Sequence, residues 1–318
     1  MKKTIAILLL AVLAIALFGA CSGNDYGSDM QAVVTGSPIL TAATQEPIKV
    51  TDAPVHAQDA DKEIVVVSRE DGSGTRGAFI ELFGIEQKND DGSKKDLTTK
   101  EAIIAKQTDV MMTNIAGNPY AIGYISLGSL NDTVKALQIE GVVPTTDSVK
   151  DASYPIARPF NIATKAEPSA LVQDFIDFIL SADGQAVVGK SYIAVVEGAA
   201  AYAGSKPAGK IVVAGSSSVT PIMEKLKEAY LVINPNASIE IQMSDSSAGI
   251  TGALEGTCDI GMASRALKDS ELEQLSATQI ALDGIAVIVN NGNELAGLTK
   301  EQVKAIFTGA LLTWGELS

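Results

Sequence analysis

The chain has 318 residues, of which 46% are hydrophobic and 19% charged, and this composition excludes a disordered tail or a collagen-like fibre. Lysine and arginine number 24 against 38 aspartate and glutamate residues, and the resulting net charge of −14 disfavours nucleic-acid partners. Two cysteines exclude a disulfide framework, and a single histidine leaves little scope for zinc or imidazole chemistry. The length predicts two domains or two lobes, and the abundance of small and β-branched residues favours an α/β fold.

The first 20 residues have the pattern of a signal peptide. Lys2 and Lys3 precede an apolar run over 5–18, which is short for a permanent membrane-spanning helix, and small residues follow before Cys21. This arrangement resembles the bacterial lipoprotein signal, in which the cysteine is diacylated and becomes the mature N-terminus. We therefore predict lipidation at Cys21 and a chain that lies outside the cytoplasmic membrane, anchored to it by lipid. A plain secretory signal with an incidental cysteine is the alternative.

Residues 21–60 have the composition of a lipidated N-terminus followed by a flexible tether. They show no sustained period of 2 or 3.6 residues and are rich in Ala, Thr, Asp, Gln and Pro. His56 falls in this tether and is predicted to be exposed and inert. No later segment is apolar enough to cross a membrane, and Cys258 is predicted to be a buried thiol.

The body repeats a strand, a Ser/Gly turn and a helix. The first unit, EIVVVSREDGSGTRGAFIELF, begins at Glu63, and the second, KIVVAGSSSVTPIMEKLKEAY, begins at Lys210. A third turn, SDSSAGI, follows the strand IEIQM. Each turn presents hydroxyls and free backbone N–H groups at a helix N-terminus, where anions bind readily. Helix capping alone is the alternative for any one turn, and the occurrence of three such turns favours anion binding.

Enzyme activity is not predicted. GQAVVGKS over 184–191 fits the phosphate-loop expression, but a helical pattern precedes it and the strand-like YIAVV follows it, which is the reverse of the required order. The Ser-rich turns have no histidine in the body that could act as a base for serine hydrolysis. Action on phosphate esters would need a metal cluster or a nucleophile–base pair, and neither is visible. We predict no catalytic residues, no metal and no cofactor.

The segments SREDGSGTR, AGSSSV and DIGMASR closely resemble those of the phosphate-binding lipoproteins of bacterial phosphate ABC transporters, which are two-lobed periplasmic binding proteins. The similarity includes ALDGIAVIVN, LTKEQVKAIFTGALLTW and YAIGYISLGSL and covers nearly everything after the tether. The resemblance implies two α/β lobes joined by a hinge, with a ligand cleft between them. It also implies a monomer that captures inorganic phosphate and delivers it to the ABC permease subunits.

The order of these segments differs from the usual order in the family. Members usually begin with the AGSSSV strand and reach SREDGSGTR only after the TW segment, whereas SREDGSGTR comes first here. We interpret this order as a circular permutation with its joint at 199–209, which requires the chain near 318 to approach Glu63. The predicted lobes are 61–165 with 290–318, and 166–289, with hinge strands near 158–164 and 286–290.

The resemblance also implies a set of phosphate-binding residues. Arg69 matches the arginine that pairs with the anion through a bidentate fork, and Asp71 matches the residue that orients this arginine. The other expected phosphate contacts are turn residues: Ser73, Gly74, Thr75, Ser217, Ser218, Ser246 and Ser264.

Ser264 departs from the family pattern. Many relatives have an aspartate there, which accepts the proton of hydrogen phosphate, whereas a serine can donate or accept. Rejection of sulfate is therefore less secure, and Asp245 is a possible substitute acceptor. A binder of sulfate or molybdate, and a phosphate sensor or surface scaffold without a transport role, remain alternatives. The acidic net charge does not oppose anion binding, because surface charges beyond about 10 Å are screened at 0.1 M salt.

Overall fold

A computed structural model of the chain describes residues 61–89 and 94–317. The predicted signal peptide, the lipidation site Cys21 and the tether with His56 lie outside these residues. The elements in chain order are β1 (Val65–Arg69), α1 (Gly74–Leu82), β2 (Glu86–Lys88), β3 (Lys94–Asp96), β4 (Ile103–Ala105), α2 (Thr108–Ala116), β5 (Ala121–Ser126), β6 (Lys135–Ala136), β7 (Gln138–Ile139), α3 (Thr146–Lys150), β8 (Ala157–Thr164), α4 (Ala170–Leu180), α5 (Ala182–Val188), β9 (Gly209–Ser216), α6 (Thr220–Ile233), β10 (Ala237–Ser244), α7 (Ser246–Glu255), β11 (Ile260–Ala263), α8 (Asp269–Leu272), β12 (Ser276–Val289), β13 (Gly297–Leu298) and α9 (Lys300–Thr308), with short 3-10 turns at Leu127–Ser129 and Trp314–Leu317.

Nine of the described strands form one mixed sheet. The strand order is β10-β9-β11-β8-β12-β5-β1-β4, and β6 also pairs with β12. Strand β1 is parallel to β4 and β5, and β9 is parallel to β10 and β11. Strands β8 and β12 are antiparallel to each other and to their other neighbours. Each parallel group is built from strand–turn–helix units, because parallel neighbours need a crossover connection. The long strands β8 and β12 lie between the two parallel groups and join them.

The two largest of the three buried apolar clusters among the described residues show that this α/β fold has two lobes, as predicted. The buried apolar residues of one cluster come from 64–156 and 285–314, and those of the other lie within 160–281. Strands β8 and β12 pass from one core to the other, since Phe160 and Ala281 pack in the second core and Ile285 packs in the first. The lobe limits remain a proposal. The clusters to which the buried residues belong favour boundaries near Arg158 on β8 and near Asp283 on β12, in place of the predicted limits at 165 and 290.

The last described residues lie beside the first ones. The backbone N–H of Ile64 donates to the carbonyl of Leu312 at 2.7 Å, and the backbone N–H of Trp314 donates to the carbonyl of Lys62 at 3.2 Å. A circular permutation of the family order requires this approach, and we retain the permutation as a proposal that the contact supports.

The phosphate-loop expression at 184–191 lies on helix α5 and the turn that ends it. Helix α4 precedes it, as predicted, but the strand predicted over 192–196 is wrong, because this segment forms only an isolated bridge. A side chain occupies its backbone donors: Gln185 Oε1 accepts the N–H groups of Val195 at 2.8 Å and Val196 at 3.4 Å. The segment therefore lacks the strand-then-helix order of a nucleotide-binding loop.

The segment 199–209 is fastened to α4 by the buried carboxylate of Asp174. Its Oδ2 accepts hydrogen bonds from the hydroxyls of Tyr202 and Tyr230, the latter at 2.6 Å, and its Oδ1 accepts the backbone N–H of Ser205 at 2.8 Å. Burial alone would raise the pKa of Asp174, but these hydrogen bonds outweigh it and lower the pKa. The ionised carboxylate therefore stabilises the fold at neutral pH.

We expect Asp174→Asn to lower the free energy of unfolding by about 2–4 kcal/mol at pH 7, because three donors lose a charged acceptor. The lowered folded-state pKa gives stability that is present above the unfolded-state value of about 4 and is lost as the pH falls through the folded value. The difference in urea unfolding between parent and variant should therefore become smaller as the pH is lowered from 7 toward 3. Asp177→Asn, an exposed position on the same helix, is the control. An equal loss at both pH values would contradict the assigned role of the charge.

Candidate functional site

Four helices begin beside one cluster of buried polar side chains. These helices are α1, α2, α6 and α7, and each directly follows a strand of the central sheet and a short turn. Because the first N–H groups of a helix have no partner within the helix, each terminus carries a partial positive charge. Their first residues are Gly74, Thr108, Thr220 and Ser246.

Arg69 lies at the end of β1 with a guanidinium that is 2% exposed. Its Nε donates to Glu70 Oε2 at 2.9 Å and its Nη2 donates to Glu70 Oε1 at 2.8 Å, which is a bidentate ion pair. The Nε also donates to the carbonyl of Ala105 at 3.1 Å, and Nη2 donates to Ser217 Oγ at 3.0 Å. Both the position and the plane of the guanidinium are therefore fixed.

The prediction that Asp71 orients Arg69 is wrong. The side chain of Asp71 is 97% exposed, and its Oδ1 forms an ion pair with Arg76 Nη1 at 2.6 Å. The same Nη1 of Arg76 donates to the carbonyl of Arg69 at 2.9 Å. Asp71 therefore pairs with an arginine that holds the backbone of the turn, and its carboxylate is not bonded to the Arg69 guanidinium. Glu70 fills the predicted role, because only its carboxylate turns back toward the end of β1.

Hydroxyl groups from both lobes meet next to Arg69. Thr75 Oγ1, on α1, lies 2.8 Å from Ser218 Oγ, on the turn after β9. Thr108 Oγ1, on α2, lies 3.4 Å from both Ser217 Oγ and Ser218 Oγ. A hydroxyl rotates and can donate to an anion or accept from a neighbour. The cluster can therefore surround a small anion with donors from two sides.

A second group of hydroxyls consists of Ser216, Ser246 and Ser264. Ser216 Oγ donates to Ser264 Oγ at 3.0 Å, and Ser246 Oγ lies 3.3 Å from Ser264 Oγ. The backbone N–H of Ser264 donates to Ser246 Oγ at 3.1 Å. Ser264 is fully buried, so each of its polar atoms depends on these partners or on a ligand.

Glycine at position 74 lets the turns of the two lobes touch. A Cβ on Gly74 would lie 2.5 Å from Ser246 Oγ and 2.8 Å from Ser264 Oγ, closer than a carbon and an oxygen can approach. The backbone N–H of Ser247 donates to the carbonyl of Gly72 at 3.2 Å, which adds a direct hydrogen bond between the lobes. The structure therefore brings the SREDGSGTR turn against the SDSS and MASR turns, and the cleft between the lobes is closed.

Asp245 caps α7 beside this cluster. Its Oδ1 accepts the backbone N–H of Ala248 at 2.8 Å, and its carboxylate packs against the Cα of Gly72. The hydrogen bond from Ala248 occupies one carboxylate oxygen of Asp245 and holds this carboxylate at the start of α7. The possibility that Asp245 replaces the missing aspartate at Ser264 stays a hypothesis.

The structure places most of the predicted contacts in one cluster, although their role as ligands remains a proposal. Ser73 is the exception, since its Oγ caps α1 by accepting the N–H of Arg76 at 3.3 Å. The residues brought together are Arg69, Gly74, Thr75, Ser217, Ser218, Ser246 and Ser264.

Sequence analysis missed Glu70, Thr108 and Ser216. The sequence does carry a signal for Thr108. The segment IIAKQTD contains a fourth short strand, and a hydroxyl residue follows this strand at the start of a helix. Ser216 belongs to the same AGSSSV turn as the predicted serines. Glu70 could not be separated from Asp71, because adjacent acidic residues in a turn differ only in the direction of their side chains.

Dipoles add to the attraction of this site for an anion. The charge of Arg69 is paired with that of Glu70, and the helix N-termini and the N–H and O–H donors contribute beside it. Within 61–89 and 94–317, no group of three or more His, Cys, Asp or Glu residues could hold a metal ion. Among the helices of these two ranges, none combines the length and the apolar character that a membrane crossing requires.

Comparisons with known proteins agree with this fold and site. The model of the PBP superfamily domain matches residues 40–183 and 200–317. The chain therefore belongs to the superfamily of periplasmic binding proteins, which confirms the family and the two-lobed fold that the motifs indicated.

Close relatives share most of the chain. It is 54% identical over 257 residues to the phosphate-binding protein PstS 2 of Streptococcus agalactiae serotype V, covering 80% of this chain and 88% of the relative. It is 48% identical over 262 residues to the phosphate-binding protein PstS 2 of Streptococcus pneumoniae serotype 4, covering 82% of this chain and 89% of the relative. The crystal structure of a phosphate-binding protein of a phosphate ABC transporter from Streptococcus pneumoniae TIGR4 matches with a TM-score of 0.65 and 47% identity, over 81% of this chain and all of that one.

Proposed function

We propose that this chain is a solute-binding protein that captures one inorganic phosphate ion between its two lobes. The observation that carries the proposal is the buried cluster of Arg69 and hydroxyl groups from both lobes, beside four helix N-termini. A tetrahedral oxyanion can accept from the fixed guanidinium on one side and from hydroxyls on the others. Relatives named as phosphate-binding proteins, with about half of their residues identical, support the same ligand.

The proposed ligands are the residues of this cluster. Arg69 supplies the charge-assisted hydrogen bond and Glu70 orients it. The hydroxyl and backbone donors are those of Gly74, Thr75, Ser217, Ser218, Ser246 and Ser264. We add Thr108 and Ser216 because their hydroxyls lie in the same cluster, and Ser73 contributes by capping α1.

Delivery to the permease subunits of a phosphate ABC transporter is part of the same proposal. Lipidation at Cys21 would hold a monomeric chain at the outer face of the cytoplasmic membrane, where it meets both external phosphate and the permease. Deletion of the chain should then reduce uptake of radiolabelled phosphate at low external concentration, and Cys21→Ala should release the chain from the membrane fraction. Unchanged uptake would favour a sensor or surface scaffold.

Titration calorimetry of the purified full chain with phosphate, arsenate, sulfate and molybdate tests the ligand. We expect one-to-one binding of phosphate, similar binding of arsenate because it carries the same protons and shape, and weaker binding of sulfate and molybdate. If sulfate or molybdate binds more tightly than phosphate, that anion replaces phosphate as the proposed ligand.

We expect Ser264→Asp to widen the ratio of phosphate to sulfate affinity. A carboxylate there can accept the proton of hydrogen phosphate but is an unpaired acceptor facing sulfate, which is costly in a buried site. A serine hydroxyl turns its hydrogen toward either anion and discriminates less. Calorimetry with both anions measures the ratio in parent and variant.

Asp245→Asn is the matched control for this substitution, because asparagine also caps a helix and Asp245 is bonded to Ala248. The ratio should stay at the parent value in Asp245→Asn. An unchanged ratio in Ser264→Asp together with a collapse in Asp245→Asn would transfer the proton-accepting role to Asp245.

A further inference from the structure

Arg158 and Asp283 form an ion pair that is buried between the two cores. They face each other on the neighbouring strands β8 and β12, and Arg158 Nη2 lies 3.2 Å from Asp283 Oδ2. Each side chain is only 1% exposed. Because these two strands pass from one core to the other, the pair lies at the point where the lobes join.

A second nitrogen of Arg158 contacts the turn that carries Ser264. Its Nη1 donates to the carbonyl of Ser264 at 3.1 Å, and the backbone N–H of the same residue donates to Ser246 Oγ at 3.1 Å. The next carbonyl, that of Arg265, accepts from Asn161 Nδ2 on β8 at 2.8 Å. Both peptide groups of Ser264 are therefore held, which fixes the direction of its Cα–Cβ bond and so limits the positions that its hydroxyl oxygen can take.

The pair also contacts the first lobe. Asp283 Oδ1 accepts the backbone N–H of Gly128 at 3.2 Å, and Gly128 lies in the 3-10 turn that follows β5. Asp283 thus connects Arg158 to a turn of the lobe that carries Arg69. The Ser264 turn, the hinge strands and the first lobe are joined through two charged side chains.

Stability alone is a poor explanation for this pair. Burial lowers the pKa of Arg158 to about 10 although Asp283 opposes the shift, and burial raises the pKa of Asp283 although Arg158 opposes it. The buried Nε of Arg158 has no hydrogen-bond partner among the described residues, which is a further cost. When a folded protein keeps buried charges and an unpaired buried donor, these groups often belong to a functional site.

We propose that Arg158, held by Asp283, is a positioning residue of the anion site, and that its hydrogen bond to the Ser264 carbonyl fixes the Ser264 hydroxyl for the ligand. This inference rests on the proposed function. Arg158 acts through Ser264, because one of its terminal nitrogens donates to Asp283 and the other donates to the Ser264 carbonyl. Its contribution to affinity should therefore depend on the Ser264 hydroxyl.

A double-mutant cycle in the full chain tests this dependence. The variants are Arg158→Gln, Ser264→Ala and their combination, with phosphate affinity measured by calorimetry. Because Arg158→Gln leaves Asp283 buried without its partner, Arg158→Met with Asp283→Leu is the second form of the test; it removes both charges, which folded proteins often tolerate. The control is Arg265→Gln, which removes the same charge from the residue next to Ser264. The Arg265 side chain pairs with Glu271 at 2.8 Å instead of with Asp283.

We expect loss of Arg158 to weaken phosphate binding by about tenfold in the parent and by less than about twofold in the Ser264→Ala background. Amide hydrogen exchange over 260–266 should also speed up in the anion-free Arg158 variants, and Arg265→Gln should change neither quantity. Thermal unfolding of each variant measures the separate effect on stability.

Three results would overturn the inference. Parent affinity in the Arg158 variants, with a lowered unfolding temperature, would show a purely structural role. An equal loss in both backgrounds would show that Arg158 acts independently of Ser264. A parent chain that binds no phosphate would overturn the proposed function itself, and the hydrogen-exchange result would then report only on the turn.

Discussion

Arg69→Ala should weaken phosphate binding by about 2–5 kcal/mol, which is a factor of about 30 to several thousand. The guanidinium is buried at the end of β1, and Glu70 and the Ala105 carbonyl fix its orientation, so its loss removes a charged donor that is already positioned for the anion. Arg69→Lys keeps the charge and loses the planar fork, and its affinity should lie between those of parent and Arg69→Ala.

The control for this prediction is Lys210→Ala, which breaks an exposed ion pair with Glu240 at 2.7 Å and should leave the affinity unchanged. Calorimetry measures all four proteins, and circular dichroism checks that each is folded. A folded Arg69→Ala protein with parent affinity would show that the anion binds elsewhere.

Gly74→Ala should weaken phosphate binding by about 10- to 100-fold with little change in the free energy of unfolding of the anion-free protein. The added Cβ would lie 2.5 Å from Ser246 Oγ and 2.8 Å from Ser264 Oγ, so it blocks both the approach of the lobes and the space for the ligand. Alanine is otherwise well suited to the first turn of α1.

Gly77→Ala, one turn further along the same helix, is a matched control. A Cβ at Gly77 would meet no atom within 4 Å, so this variant should bind phosphate like the parent. Small-angle scattering with saturating phosphate should show a larger radius of gyration for Gly74→Ala than for Gly77→Ala. Equal affinities of the two variants would contradict the close approach of the turns at Gly74.

The local chemistry of the site could be predicted from the sequence. A β-branched strand, a Ser/Gly turn and a helix start occupy about ten consecutive residues, and the donors at a helix N-terminus depend on little else. The helices after Ser73, Val219 and Asp245 begin where the turns predicted them. The family resemblance then linked these turns to one cleft.

Other features depend on contacts that are distant in the sequence. The choice of Glu70 over Asp71 as the partner of Arg69 depends on the direction in which the chain leaves β1. The joining of Arg158 to Ser264 depends on β8 lying next to β11, although 106 residues separate them in the chain. The strand predicted over 192–196 failed because Gln185 occupies its backbone donors, and no local periodicity records such a contact.

A crystal structure of the full chain grown with phosphate tests the central claim most directly. It should show a single tetrahedral ion between the lobes, with oxygens within hydrogen-bond distance of the Arg69 guanidinium, of Thr75 or Ser218, and of Ser246 or Ser264. A phosphate ion bound outside this cluster, or a cluster without phosphate in crystals grown at millimolar phosphate, would contradict the account.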